Sequence, residues 1–531
     1  MERLVRSLAR FGVLLAMVSS SQLTGCSFVA VEDIDPDMTT DPADCTALNA
    51  EASLATGDAC LTWQLVEGFC RIGTRDTDGD GAKDPDCAAA DEVVDCDPED
   101  GTRAPNLAEL CDGIDNDCDE RVDEDVLSPT SPSDTQVATG IENLALASPS
   151  LSARAAALFT SPMGTPQNVV TTARFATSGS GTVAVAGASV TAPARDGTTR
   201  GTTALAALDS QSYVAALIPA GGCRAPVLAT LGSESAATDL VFPVGHLAAG
   251  LPNAAAETCA SAVDPALLRA RSPALGASTT RALAVWVAGS FIDSCGVPAD
   301  AAPVLVNGAS FNAGSRVLTP SGSAAVTLGD TDDAAAPAVV RVSADRFVVA
   351  HADGGALVLS LVAVASDGSV TLLDSATHDL GGTSAGDLAV AVLDGGDVVV
   401  AYRLGCGTQA RVMVARTTLD VVAGTLADTL STPQAIEAGT SAQRRPRIAV
   451  REFPVGATLA WEASNSIRVR QLDAAGQPLG AVLSGYAATG TLGAGHHLYP
   501  LPDSPAFGLI ISDTSSNGTG ALASLELRCA L

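Results

Sequence analysis

The sequence predicts a mainly β chain. Its expected C-terminal domain is a β-propeller-like ring of six to eight four-stranded blades, placed after a small, irregular, disulfide-rich metal-binding module. Three observations predict this. From residue 137 onward the chain is rich in Ala, Val, Leu, Thr and Gly, and short apolar runs alternate with Asp-Gly and Gly-Gly turns, as antiparallel strands do. A strand-two pattern recurs there, VVAH ending at His351, VVAY at Tyr402 and TLAW at Trp461, at steps of 51 and 59 residues. Residues 76–125, by contrast, hold 20 acids, three bases and four cysteines, and no apolar run that could build a core.

Taken in order, the chain begins with an export pattern. Arg3, Arg6 and Arg10 form a positive start, and Phe11–Val18 is an apolar run of eight residues, too short to span a bilayer. Leu23-Thr24-Gly25-Cys26 follows and resembles a bacterial lipobox. That resemblance implies removal of residues 1–25 and acylation of Cys26, hence a lipid-anchored, extracytoplasmic protein. Multiple acyl chains on Cys26 anchor stably, at about 0.8 kcal/mol per buried CH2. Ser27 leans the anchor towards the outer membrane or cell surface of a Gram-negative bacterium. Residues 26–44 read as a flexible acidic tether.

The module spans residues 45–125, with Cys45, Cys60, Cys70, Cys87, Cys96, Cys111 and Cys118 as disulfide candidates, since an exported chain oxidises its cysteines by default. So much like charge needs a neutralising partner, and a hard divalent cation bound by oxygen, Ca2+ first, is the simplest one. Asp76, Asp78, Asp80 and Asp84 stand at positions 1, 3, 5 and 9 of a calcium loop, with Ala82 at the carbonyl position and Gly79 and Gly81 for the sharp turn. Position 12 is Cys87, so the loop is not an EF-hand. The form DxDGDGxxDxDC resembles a thrombospondin type 3 repeat, which implies Asp86 as the last carboxylate. Asp95, Asp97 and Asp100, around Cys96, form a further cluster. Asp112, Asp115, Asp117, Asp119 and Asp123 make a second ladder.

Cys111–Glu124, CDGIDNDCDERVDE, preceded by Asp95-Cys96-Asp97, resembles the MopE-type metal-binding motif of secreted and surface bacterial proteins. The Gly usual after its last Cys-Asp is Glu120 here. Copper is disfavoured, because residues 27–125 hold no His and only Met38. Zinc on the cysteines is the weaker alternative, since no CxxC pair occurs.

The acidity is local. Residues 27–125 carry 29 acids and five bases, net −24 of the chain's −31. No basic cluster exists to meet phosphates, so nucleic acid is not an expected partner. The expected partners are the membrane, through the anchor, and a protein or glycan ligand.

Residues 126–136, rich in Pro and Ser, read as a linker into the domain at 137–531. Its clearest unit is four runs, Ala338–Val342, Arg346–His351, Ala356–Val364 and Val370–Leu373, with turns at Asp353-Gly354-Gly355 and Asp367-Gly368. Weaker echoes fall near Val183, Tyr213, Ala284 and Phe507. Blades bury their faces only against neighbours, so a repeat of 50–60 residues suits a ring; an array of β-sandwiches is the alternative.

No catalytic residue stands out. Gly382-Thr383-Ser384-Ala385-Gly386 fits GxSxG but leads into a strand rather than a helix, so it reads as a loop between blades. His351 reads as a packed strand residue, and the adjacent pair His496-His497 is a weak metal signal. The leading function is therefore binding or scaffolding on a calcium-stiffened spacer. The alternative is a propeller-borne hydrolase or lyase, for which acids and His from different blades would meet at the central channel.

Overall fold

The computed structural model describes residues 60–529 with interruptions, the longest at 192–202, 233–269 and 289–301. The signal segment, Cys26, the tether, Cys45, Cys111, Asp112, Asp123 and Ser384 lie outside the described residues. Two compact units emerge, residues 1–106 and 107–531.

In the first unit, Leu61–Val66 and Phe69–Thr74 form an antiparallel hairpin. Cys60, at its start, is bonded to Cys87, and Cys96 is also in a disulfide. The rest is turn-rich. A short parallel bridge joins Lys83 to Val94. Among the residues of this unit whose burial is described, the buried apolar side chains are Ala82 and Ala104.

The second unit is a propeller. Its described strands form seven sheets, each built by antiparallel steps along the chain. The innermost strands are Glu142–Ala147, Thr203–Ala207, Ala270–Ala277, Ala338–Arg341, Ala385–Val392, Gln443–Arg451 and Thr491–Pro500, opening blades 1 to 7. Each touches the next, and the strand at 491–500 touches that at 142–147, which closes the ring. Apolar seams lie between consecutive blades. Leu283, Val285 and Val304 of blade 3 meet Phe347, Val349 and Val362 of blade 4. Val398, Val400 and Tyr402 of blade 5 meet Leu357, Leu359 and Leu361 of blade 4. Trp461 of blade 6 meets Val399, Val412 and Ile436 of blade 5.

Blade 4 has the four strands the sequence predicts, Ala338–Arg341, Arg346–Asp353, Ala356–Val364 and Val370–Asp379. The strand-two repeat is a register repeat. Ala350, Ala401 and Ala460 each pair with the equivalent inner-strand residue, so His351, Tyr402 and Trp461 occupy one position in three successive blades. All three are buried. Trp286 fills the same position in blade 3.

Two expectations shift. The stretch 126–136 reads as a linker, yet Leu127–Pro129 and Ser133–Ala138 both pair with the last strand, Gly520–Cys529. Blade 7 is thus closed from both ends of the unit. Pro129 is tolerated because it lies on an edge strand, where its missing N–H breaks no ladder. Val183 falls on the short outer strand Val183–Val185 of blade 1, whose second strand is Arg154–Thr160.

Candidate metal loops and the charged inner strands

The loop at 76–84 folds as its glycines require. Gly79 and Gly81 take φ of +84° and +100°, and their N–H groups donate to Asp76 Oδ1 and Oδ2 at 2.8 and 3.1 Å. Ala82 N–H donates to Asp80 Oδ1 at 2.8 Å. Oxygens of Asp76, Asp78 and Asp80 lie within 4.8 Å of one another. At that spacing two carboxylates repel by about 3.5 kcal/mol at an effective dielectric of about 20. Burial, reinforced by the charges of Asp80, Asp95 and Asp76, pushes the Asp78 carboxyl above its ordinary value. The cluster is an all-oxygen donor set, which fits a hard cation.

Other candidates of this loop go elsewhere. Asp84 is buried and accepts from Arg75 Nε, Thr77 N–H (3.0 Å) and Thr77 Oγ1 (2.8 Å). Burial would raise its carboxyl, but these bonds hold it below the usual carboxylate range. Asp97 pairs with Arg103 at 2.6 Å. Asp86 is exposed. Asp95, beside the Lys83–Val94 bridge, is buried.

The second cluster belongs to the second unit and contains a residue that the ladder pattern missed. Glu109 is buried, and its Oε1 accepts from Asn116 N–H at 2.7 Å and Asp117 N–H at 2.9 Å. Its carboxylate, with those of Asp115 and Asp117, lies within the same 4.8 Å limit. Asn116, fully buried, accepts from Leu110 N–H at 2.8 Å and pins the turn. Asp119 N–H donates to Asp115 and Asp117, both at 3.2 Å, while Cys118, disulfide-bonded, sits at φ +62°. Glu109 stands two positions before the motif's Cys-Asp-Gly, which is the signal that could have included it.

On the propeller's inner strands the structure gathers charges that the sequence scattered. The pairing of the innermost strand slips at Gly386/Ala389 in blade 5, Arg444/Arg447 in blade 6 and Leu492/His496 in blade 7. Such bulges re-aim side chains. Asp387 and Arg445, equivalent residues of blades 5 and 6, take φ of +47° and +49°, a strained conformation for a non-glycine residue that must be held by its surroundings. Glu462, buried, pairs with Arg444 at 2.9 Å and Arg445 at 3.0 Å, and His496 Nδ1 lies 3.7 Å away. Asp387 pairs with Arg403 at 3.0 Å. Gly386 makes room, since a Cβ there would stand 2.2 Å from the Arg403 guanidinium.

Burial would raise Glu462, but His496 and Arg445 hold it down to about 2, so it carries no proton near neutral pH. Burial keeps His496 low in spite of Glu462, and pushes His497 down to about 3 beside Arg447. The His497 ring stacks on Tyr499. Neither ring belongs to a group of three or more possible metal ligands among the described residues. Glu462, Arg444 and Arg445 thus form an array of paired charges on the inner strands.

Fold and loops together define a class: a β-propeller with an acidic, cysteine-containing metal-binding motif. Residues 95–124 match the MopE copper-binding family, described as a "putative metal-binding motif", over 30 of 531 residues. No curated protein matches the chain. Among solved structures, a protein of unknown function from Dyadobacter fermentans DSM 18053 is 12% identical, with a TM-score of 0.40 over 76% of this chain and all of that one. The sialidase of Trypanosoma rangeli in complex with the inhibitor DANA is 10% identical, at 0.39 over 75% of this chain and 60% of that one. The alpha-L-arabinanase of Penicillium chrysogenum is 10% identical, at 0.40 over 76% and 97%. The propeller assignment rests on the strand pairing, not on these likenesses.

Proposed function

We propose that this protein is a lipid-anchored, extracytoplasmic binding protein, in which a calcium-stiffened module spaces a propeller from the membrane. The observation that carries the reading is a set of three buried carboxylate oxygens, on Asp78, Asp80 and Asp95, without a hydrogen-bond partner. Buried charges persist only where something compensates them, and a hard cation is the compensation that an oxygen-only set takes. Copper, named by the matching family, finds no soft ligand in the loops described. The ligand of the propeller is a protein or glycan, met at the charged inner strands of blades 5 to 7. Arg444, half exposed, and Arg445 are held there by Glu462.

That same cluster favours a second reading, a hydrolase or lyase working at the ring's axis. Against it stands the chemistry: Glu462 is locked as a carboxylate between two arginines, and His496 is fully buried.

Metal content of the purified full-length protein tests the first reading, with membrane fractionation of Cys26→Ser beside it. We expect about two Ca2+ per chain, and release of the variant from the membrane. At a hundredfold excess over Kd, Ca2+ stabilises the binding-competent state by about 2.7 kcal/mol, so chelation should open residues 76–125 to protease. Copper in place of calcium, or a membrane-bound Cys26→Ser, would overturn the respective part.

A further inference from the structure

Among the described residues, five of the seven innermost strands slip in register within their first few residues, at Glu142/Ala145, Arg271/Ala274, Gly386/Ala389, Arg444/Arg447 and Leu492/His496. These strands open successive blades of one ring, so the slips gather at one end of its axis. In blade 6 the slip sets three arginines in four residues, Arg444, Arg445 and Arg447, on one inner strand. Arg444 is bonded among the described residues through Nε alone, to Glu462 at 2.9 Å. Its side chain is 51% exposed, that of Glu462 1%. Its Nη groups are thus left to solvent or a ligand while its Nε is pinned. Arg445 Nη1 holds the other Glu462 oxygen at 3.0 Å, and Arg445 N–H donates to Asp387 Oδ2 of blade 5 at 3.3 Å. Arg447 bonds the Pro446 carbonyl at 2.9 Å and reaches no carboxylate among the described residues. With the Arg403–Asp387 pair, four guanidinium groups stand against two carboxylates, a net +2 in a chain of net −31.

We propose that this end of the axis binds an acidic saccharide, and that Arg444 receives the saccharide's carboxylate on the guanidinium nitrogens that Glu462 does not engage. This deepens the binding reading given above and rests on it. A guanidinium is planar and meets a carboxylate two hydrogen bonds at a time. Glu462 orders the side chain before the ligand arrives, which lowers the entropy lost on binding. The local positive excess suits a ligand of single negative charge, whereas a polyanion would meet the repulsion of an acidic chain. The surroundings suit a hydrophilic ligand. Of the large hydrophobic side chains that stand exposed among the described residues, none lies on an innermost strand, while protein partners meet through an apolar centre with aromatic anchors.

The test uses the full-length protein and oligosaccharides that end in glucuronate, in glucose or in sulfated glucose, beside a Glu-rich peptide. Arg444→Ala and Arg444→Lys are the variants, and each is also melted. The glucuronate-ended probes should bind at least about tenfold more tightly than the glucose-ended ones, since a charged hydrogen-bonded pair separates them. Arg444→Ala should remove that selectivity and leave the propeller's Tm unchanged. Arg444→Lys should lose most of it as well, because an ammonium keeps the charge but lacks the fork. A purely structural role for Arg444 predicts the reverse, a lowered Tm in Arg444→Ala with selectivity intact. A preference for the peptide, the sulfated or the neutral probes would overturn the acidic-saccharide site and leave the broader binding reading standing, as would parent-like selectivity in Arg444→Ala. Capture of none of the probes would overturn the site, with the broader reading then judged on the metal content and membrane release described above.

Discussion

The acidic module and the propeller solve opposite problems. Among the described residues of the first unit, the buried side chains include Asp84 and Asp95, and the buried apolar ones are Ala82 and Ala104. Cross-links and counter-charges must do there what a core does elsewhere, so the fold depends on ions and redox state. In the propeller, each described blade interface from 2/3 to 6/7 is an apolar seam, and the buried Glu462 is paired with Arg444 and Arg445. Its stability should depend on packing and on closing the ring. Solution conditions should therefore pull the two regions apart, and mutations in one should leave the other's response intact.

The strongest test of that contrast is to open the ring. Deleting residues 520–531 removes Leu522, Ala523, Leu525 and Leu527, all buried, together with the partner of Leu127–Pro129 and Ser133–Ala138. Calorimetry should show the propeller's cooperative transition lost, while Ca2+ binding by the 76–84 loop survives. A transition that persists at its original temperature would mean that the blades stand independently, as an array would.

A smaller break lies in one seam. Trp461 is fully buried between blades 5 and 6, and its removal leaves a cavity that rigid sheets cannot collapse. Trp461→Ala should cost about 3–5 kcal/mol, read as a fall in the propeller's Tm with chelator sensitivity unchanged. Trp461→Phe should lose less, because it refills part of the seam and deletes an indole N–H that has no partner. Equal losses would place the weight on shape rather than volume.

What was legible follows the same division. The blades of the second half could be read because each repeats the same local pattern, an apolar second strand ending in one large buried residue at a fixed register. Trp286 belongs to that series and its run LAVW was readable as such. The closing strands were not, because Leu127–Ala138 carries prolines and serines and becomes strand only through pairing with residues 382 positions later or more. The inner-strand cluster was hidden for another reason: a bulge defeats the alternation from which a strand's faces are read, so Asp387 and Arg445 could not be assigned a direction. In the module, spacing found Asp76, Asp78 and Asp80, while the fate of Asp84 depended on Arg75, one residue outside the loop pattern.

The finest test sets the two regions against each other through pH. His351 is 2% exposed, and burial holds its imidazole down to about 4, opposed weakly by Asp330. Unfolded, it titrates near 6.5. Its favourable contribution is therefore complete above pH 6.5 and is lost as the pH falls towards 4, because the unfolded chain takes up the proton first. At pH 5 this amounts to about 2 kcal/mol, from the ratio of the two binding polynomials. In the module, Asp78 and Asp95 are shifted the other way: burial, with neighbouring carboxylates, raises both above the ordinary 3.8. Without a cation, their contribution is complete below 3.8 and is lost as the pH rises through the raised values. Acidification from 6.5 should thus weaken the propeller while relieving the chelated module, two slopes of opposite sign in one chain. His351→Leu should flatten the propeller's slope between pH 6.5 and 4 and leave the module's untouched. Thermal melts of the propeller and protease protection of residues 76–105, followed over the same pH series in chelator, read both slopes. A propeller slope unchanged by His351→Leu would assign the acid sensitivity to other groups.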